Sequence, residues 1–265
     1  MHENETAVRS EIIDGNIRLV TLDGPRTRNS IGRAQYEALR AIIVDAGNDA
    51  AIRAVVLTGA GGFFSSGGNV GALQESRSQN LSEVSRNTDA LAAMILAIRN
   101  CPTPVIAAVE GGAAGLGVSL ALACDMVVAS NAARFTVAYV KIGLTPDGGA
   151  THFLTDSLPR QLVSELCMLG RPVSAARLHA AGAVNTLCED GHAIEAALDL
   201  ARACATGARE AIAVIKTEIA SARENQLAEQ IDLEGRNINK ARYGREAAEG
   251  LQAFLEKRKP DFPNR

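Results

Sequence analysis

Apolar positions follow two rhythms along this chain. In residues 17–22 (IRLVTL) polar and apolar residues alternate and branched side chains dominate, which is the period of a strand, and Gly24-Pro25 breaks it. Past Gly32 the period lengthens. Tyr36, Leu39, Ile42, Ile43 and Ala46 recur at helical spacing, so one face of a helix covers a core. Residues 54–57 (AVVL) form a short, wholly apolar run closed by TGAGG, the mark of a buried strand. A second helix spans residues 87–100 and stops at Cys101-Pro102-Thr103-Pro104, because proline cannot extend it. Residues 105–109 (VIAAV) read as another buried strand. A small-residue turn, EGGAAGLG, then feeds a helix through Cys124, and residues 126–129 return to strand.

Strands repeatedly crossed by helices predict an α/β core. After Pro159 the rhythm is helical, over residues 193–205, 208–223 and 245–257, and no strand is predicted there. No linker rich in Pro, Ser or Gly sets this part off. It is therefore expected to cover the first part as a helical layer.

Composition adds limits. Hydrophobic residues at 47% and charged residues at 22% place the chain among folded proteins, and 265 residues suffice for a sizeable core. With 3% aromatics and no Trp, that core must be made of Ala, Leu, Val and Ile. A net charge of −3 and scattered basic residues leave no cationic stripe, which argues against nucleic acid as a partner. Five cysteines, an odd number without a C-x-x-C pair or zinc-site histidine spacing, read as free thiols in a reducing compartment, with no metal expected. The polar, acidic beginning lacks the basic-then-apolar order of a signal peptide, and no apolar run reaches the ~20 residues of a membrane span. A cytoplasmic protein with no membrane contact is expected.

Two glycine-rich turns, FFSSGGNV (63–70) and GGAAGLG (111–117), follow predicted strands, and the second opens a helix whose first N–H groups have no intrahelical partner. Each is a candidate anion or oxyanion site. A dinucleotide or P-loop reading fails, because the third glycine and the G-K-[ST] sequence are missing.

Over almost its whole length the chain resembles the enoyl-CoA hydratase/isomerase (crotonase) superfamily. Five segments occur in that family's order: PRTRNSI (25–31), AVVLTGAGGFFSSGGNV (54–70), PVIAAVEGGAAGLGVSLALACDMVVAS (104–130), RFTVAYVKIGLTPDGGAT (134–151) and FLEKRKPDF (254–262). The resemblance implies a spiral of repeated β-β-α units with a C-terminal helical layer, the spiral core over residues 1–200 and a cap for oligomerisation over 201–265. It implies an acyl-CoA thioester substrate, no separate cofactor since coenzyme A enters with the substrate, and a homo-oligomer, trimer or hexamer. The oxyanion donors fall on the backbone N–H groups of Gly68 and Leu116, next to Gly67 and Gly115. A preorganised donor of this kind is worth ~3 kcal/mol. Arg26, Arg28, Ser65 and Ser66 fall in the segments that meet coenzyme A, and Phe254 and Lys257 on the closing helix.

The two glutamates that hold water in hydratases correspond here to Ser119 and Tyr139, two substrate-facing positions whose side chains are not bases near neutrality. The acid left in the active-site loop is Asp147, in GLTPDGGA, where isomerase-like and dehalogenase-like relatives carry one. KIGLTPDGG is also similar to the phenylacetate-pathway ring-epoxide isomerases. A single carboxylate is enough for an allylic proton shift, so double-bond isomerisation is expected, with Ser119 and Tyr139 contributing little. Hydration through a water held by Asp147, hydrolysis or dehalogenation with Asp147 as nucleophile, and acyl-CoA binding without turnover remain open. His2, His179 and His192 read as surface positions, His152 and Glu165 as structural.

Overall fold

The computed structural model describes residues 5–262. Strand β1 (Ala7–Ile13) pairs antiparallel with β2 (Ile17–Asp23). Parallel neighbours then follow: β3 (Ala54–Gly59), β4 (Val105–Val109), β6 (Met126–Ser130) and β9 (Thr186–Cys188), in the order β1-β2-β3-β4-β6-β9. A smaller sheet runs beside it, with β5 (Gly112–Ala114) parallel to β7 (Arg134–Thr136) and β8 (Val173–Ser174) antiparallel to β7.

Single bridges prolong the smaller sheet, Ser65 pairing with Ala113 and Gly68 with Ile31. Each pass of the chain thus adds a strand to the large sheet, a short extended piece to the small one, and then a helix. This is the expected spiral of β-β-α units.

Alternation along the strands divides the core between two faces. Val20, Leu22, Val55, Leu57, Val105, Ala107 and Val127 point toward helix α1 (Arg33–Asn48), helix α3 (Leu81–Asn100) and helix α4 (Leu116–Ala123). Their neighbours Ile17, Leu19, Ala54, Val56, Ile106, Ala108 and Val128 point the other way, onto Ala193, Ala197, Leu198, Ala201 and Ala205 of α8 (Ala193–Ala205). Alanines on α8 let the helix lie close to the sheet. Burying one large aliphatic side chain such as Ile43 contributes ~1.5–3 kcal/mol. Helix α1 presents the predicted stripe of Tyr36, Leu39, Ile43 and Ala46.

Several elements differ from expectation. The helix expected from residue 87 starts at Leu81, where Asn80 accepts from the Glu83 amide at 3.0 Å and the Glu83 carboxylate returns to the Asn80 amide, a capping box spelled N-x-x-E. A short helix α2 (Val70–Ser76), capped by Asn69, precedes it. Two short strands, β8 and β9, lie in the part predicted to have none. Between β7 and β9 the chain forms α5 (Ala150–Ser157), α6 (Arg160–Leu169) and α7 (Ala175–Ala180). Because α8 packs on the large sheet through Ala205, the division expected near residue 200 falls inside it. The helices beyond the sheet are α9 (Arg209–Ser221), α10 (Leu227–Ala241) and α11 (Arg245–Leu255).

Helix α9 is tied to the core by Lys216, which meets Asp125 at 2.7 Å and the Ile98 carbonyl at 3.1 Å. Outward from it, α10 and α11 expose Ile231, Ile238, Leu251, Phe254 and Leu255. No described helix is long and apolar enough to cross a membrane. His2 lies outside the described residues.

Candidate active site

A cavity of about 870 Å³ opens between the two glycine turns, helices α2 and α3, and the loop after β7. Gly68 and Leu116 both line it, with Ser66, Gly115, Tyr139 and Asp147. Ile31, Leu73, Leu91 and Leu144 supply apolar wall.

The two turns meet because neither carries a side chain at the contact. A methyl group on Gly67 would sit 2.6 Å from the Ala114 carbonyl oxygen and 2.8 Å from the Leu116 nitrogen, and Gly67 has φ +88°. Only glycine meets both demands. The registration is set by hydrogen bonds between the Ala114 amide and the Ser65 carbonyl, 2.9 Å, and between the Ile31 amide and the Gly67 carbonyl, 2.8 Å. Among the described residues the amides of Gly68 and Leu116 have no acceptor. Leu116 is the first residue of α4, so its N–H has no intrahelical partner and carries the positive end of the helix dipole. Two free N–H groups flanking one cavity can hold the oxygen of a polarised thioester carbonyl.

Asn29 binds the first loop to this frame. It is fully buried in a left-handed conformation, φ +57°. Its side-chain oxygen accepts from the Gly24 amide at 2.9 Å, and its nitrogen donates to the carbonyls of Ala60 at 2.9 Å and Phe63 at 2.6 Å. Ser65 donates to the Asn29 carbonyl at 2.8 Å and Ser66 to the Thr27 carbonyl at 2.8 Å. Ser65 is therefore spent on structure: it is fully buried and stands off the cavity wall, contrary to the substrate contact expected of it. Nothing in the sequence singles out Asn29, since the carbonyls that its side-chain nitrogen binds lie more than thirty residues away.

Asp147 sits above α4. Gly148, at φ +57°, packs so closely that an added methyl would lie 2.5 Å from Leu116 Cδ1 and 3.3 Å from Ser119 Cβ. The Ser119 hydroxyl donates to the Asp147 carbonyl at 2.9 Å, and the Tyr139 hydroxyl donates to Asp147 Oδ1 at 2.7 Å. Both positions, expected to face the substrate and contribute little, thus touch the acid, and Ser119 does so from a fully buried site behind the wall. Water reaches Asp147 through the cavity mouth, yet the protein around it raises its pKa above the usual carboxylate range; the Tyr139 bond pulls the other way and is the smaller effect. Burial, reinforced by the Asp147 charge, pushes the Tyr139 phenol far up, so it stays protonated and serves the carboxylate as a donor. Tyr36, also on the wall, is pushed up for the same two reasons.

The remaining candidates lie apart. Arg26 and Arg28 are exposed on the first loop, outside the cavity wall, with the Arg28 guanidinium 5.4 Å from the centre of the Phe63 ring. Phe254 is 82% exposed and Lys257 is exposed; neither lines this chain's own cavity. His152 faces Asp156 at 3.6 Å, Glu165 pairs with Arg177 at 2.9 Å, and His179 and His192 are exposed.

Comparison with known proteins agrees with this fold. The enoyl-CoA hydratase/isomerase family model matches residues 13–265. A protein of Rhodobacter capsulatus described as a probable enoyl-CoA hydratase is 35% identical, over 97% of this chain and 98% of its own. The 1,2-epoxyphenylacetyl-CoA isomerase of Escherichia coli is 32% identical, over 94% and 96%. The crystal structure of an enoyl-CoA hydratase from Polaromonas superimposes with a TM-score of 0.93 at 42% identity, covering 96% of this chain and 98% of that one.

Proposed function

The chain belongs to the enoyl-CoA hydratase/isomerase family, and from that membership we propose that it is an enoyl-CoA isomerase with Asp147 as its proton shuttle. One observation carries the choice: Asp147 is a carboxylate on the wall of the cavity that holds the free amides of Gly68 and Leu116, and no second acid stands at 119 or 139.

In this reading the thioester carbonyl oxygen lies between the two amides. Asp147 removes a proton from C2 of a 3-enoyl thioester, the C2–H electrons pass into the carbonyl, and the resulting dienolate charge rests on the oxygen. The same carboxyl returns the proton to C4 as the double bond moves to C2–C3. No water is consumed. The elevated pKa of Asp147 suits this work, because a general base is most effective when its pKa approaches the working pH.

Arg26 and Arg28 would meet the phosphates of coenzyme A from the first loop, with Ser66 beside them. A homo-oligomer is part of the proposal: it would bury the apolar face of α10 and α11 and carry Phe254 and Lys257 to a neighbouring subunit.

A second reading, hydration, is favoured by relatives whose names say hydratase, the Rhodobacter protein and the Escherichia coli 2,3-dehydroadipyl-CoA hydratase among them. It would require Asp147 to hold and deprotonate a water alone. A panel of 3-enoyl, 2-enoyl and ring-epoxide CoA thioesters, followed by product mass, separates the two. Isomerisation leaves the mass unchanged. Rapid addition of water to 2-enoyl-CoA, with no shift of the 3-enoyl substrate, would reject the isomerase.

A further inference from the structure

We infer that Tyr139 and Ser119 form a clamp that holds Asp147 in one orientation, with Tyr139 occupying Oδ1 so that Oδ2 alone carries the proton. The inference rests on the reading of Asp147 as the base. It goes further in assigning a positioning role to two residues that replace the water-holding pair of a hydratase.

Asp147 is gripped at both ends. Its main chain is fixed by the Ser119 hydroxyl at 2.9 Å, and Ser119 is itself fully buried on α4. Its side chain is fixed by the Tyr139 hydroxyl at 2.7 Å, short for a bond between oxygens and aimed at an anion. Tyr139 is in turn anchored: its ring packs on the main core, and Gly115 backs it at the ordinary contact distance of 3.9 Å from a methyl placed there to the ring's Cζ. Three elements therefore meet at one residue, namely α4, the short 3-10 turn at Ala138–Ile142, and the loop from 143 to 149 that carries Asp147. Gly148 seats that loop on Leu116, the residue whose amide faces the cavity. The clamp is thus built on the same helix end as the oxyanion donor, and base and donor keep a fixed spacing.

Chemistry follows from occupancy. With Oδ1 accepting from a phenol that cannot ionise at neutral pH, the C2 proton passes to Oδ2 and from Oδ2 to C4; no net proton is gained or lost by the enzyme. A water bridging both oxygens would have to displace the phenol. The clamp accordingly favours proton transfer over water addition, and it offsets part of the rise that burial imposes on the pKa of Asp147.

The titratable and charged groups facing this carboxyl are few. Tyr139 approaches from its own loop, Tyr36 from α1, and Lys141, Arg33, Glu75, Glu83 and Arg86 stand around the same cavity. Removing the Tyr139 hydroxyl alone therefore reports on the clamp.

The test is the pH profile of kcat/KM for isomerisation by Tyr139→Phe, alongside wild type and Asp147→Asn. The phenyl ring keeps the packing and loses the donor. We expect kcat to fall about tenfold with KM within twofold, and the acid limb to move upward by about one pH unit, because the carboxylate loses the bond that stabilises its charged form. A tyrosine needed only for packing would leave the limb in place. Should Tyr139→Phe melt below assay temperature, site-specific replacement of Tyr139 by 3-fluorotyrosine, whose more acidic phenol donates more strongly, must shift the limb downward instead. An unmoved limb in the folded variant overturns the clamp. If Asp147→Asn abolishes turnover while that limb stays in place, the clamp alone fails; if Asp147→Asn retains turnover, the base assignment fails and the clamp with it.

Discussion

Gly67 and Leu116 lie so close that a single methyl group on Gly67 would stand 2.8 Å from the Leu116 nitrogen. The space that brings the two amides to one cavity is the space a β-carbon would take. Gly67→Ala is therefore expected to push the turns apart while forcing alanine into φ +88°. It should lower kcat/KM for isomerisation at least a hundredfold, the scale of losing one oxyanion donor. Steady-state kinetics and a thermal melt check this; kinetics within a few-fold of wild type would remove Gly67 from the site's architecture.

Asp147→Asn keeps the shape of the side chain and loses its capacity to accept a proton at neutral pH. Turnover of 3-enoyl-CoA should fall by a thousandfold or so, with acyl-CoA affinity by calorimetry within about threefold, the pattern of a group that acts on the transition state alone. A parallel loss of affinity would mean that Asp147 holds the substrate instead.

The displaced pKa of Asp147 has consequences for rate and for stability. As a base it works ionised, so the rate of wild type should fall as pH drops through a value above the ordinary carboxylate range. Folding raises this pKa, so the folded protein binds a proton there more readily than the unfolded chain. Below the ordinary value both states are protonated and nothing is lost; above the raised value the ionised group opposes folding. Asp147→Asn should then melt about 2 °C higher than wild type near pH 7 and equally at pH 3. Calorimetric scans at the two pH values test the sign.

Asn29→Ala would leave the Ala60 and Phe63 carbonyls without a donor and place alanine at φ +57°. A loss of roughly 2–4 kcal/mol is expected from breaking this buried network. The loop carrying Arg26 and Arg28 would loosen with it, so KM for acyl-CoA should rise more than kcat falls. Chemical denaturation and kinetics together check the pair of effects.

How much of this was legible in the sequence depends on where the information sits. Strands β2, β3, β4 and β6 announce themselves because both of their faces are buried and their residues are branched or small. Strand β1, RSEI at an exposed edge of the sheet, has no such run, and β8 and β9 are two and three residues long, too short for a period to show. The glycine turns were visible as turns, and the motif order assigned Gly68 and Leu116 as donors. That Tyr139 bonds Asp147 was not visible. Eight residues separate them, and their meeting depends on the left-handed turn at Gly143 and on Gly148 lying against Leu116, a contact across tertiary structure. Ser119 looked inert for the same reason: its partner is a main-chain carbonyl 28 residues away.

Both amides proposed to hold the thioester belong to the main chain, and a main-chain N–H survives the exchange of any side chain except for proline. The grip on the substrate is therefore shielded from most single mutations, while the side chains opposite it, at 119, 139 and 147, are fully open to them. A scaffold of this kind can trade one reaction for another without first losing hold of its substrate. In the proposed reading, Ser119 and Tyr139 are where this chain would write such a trade.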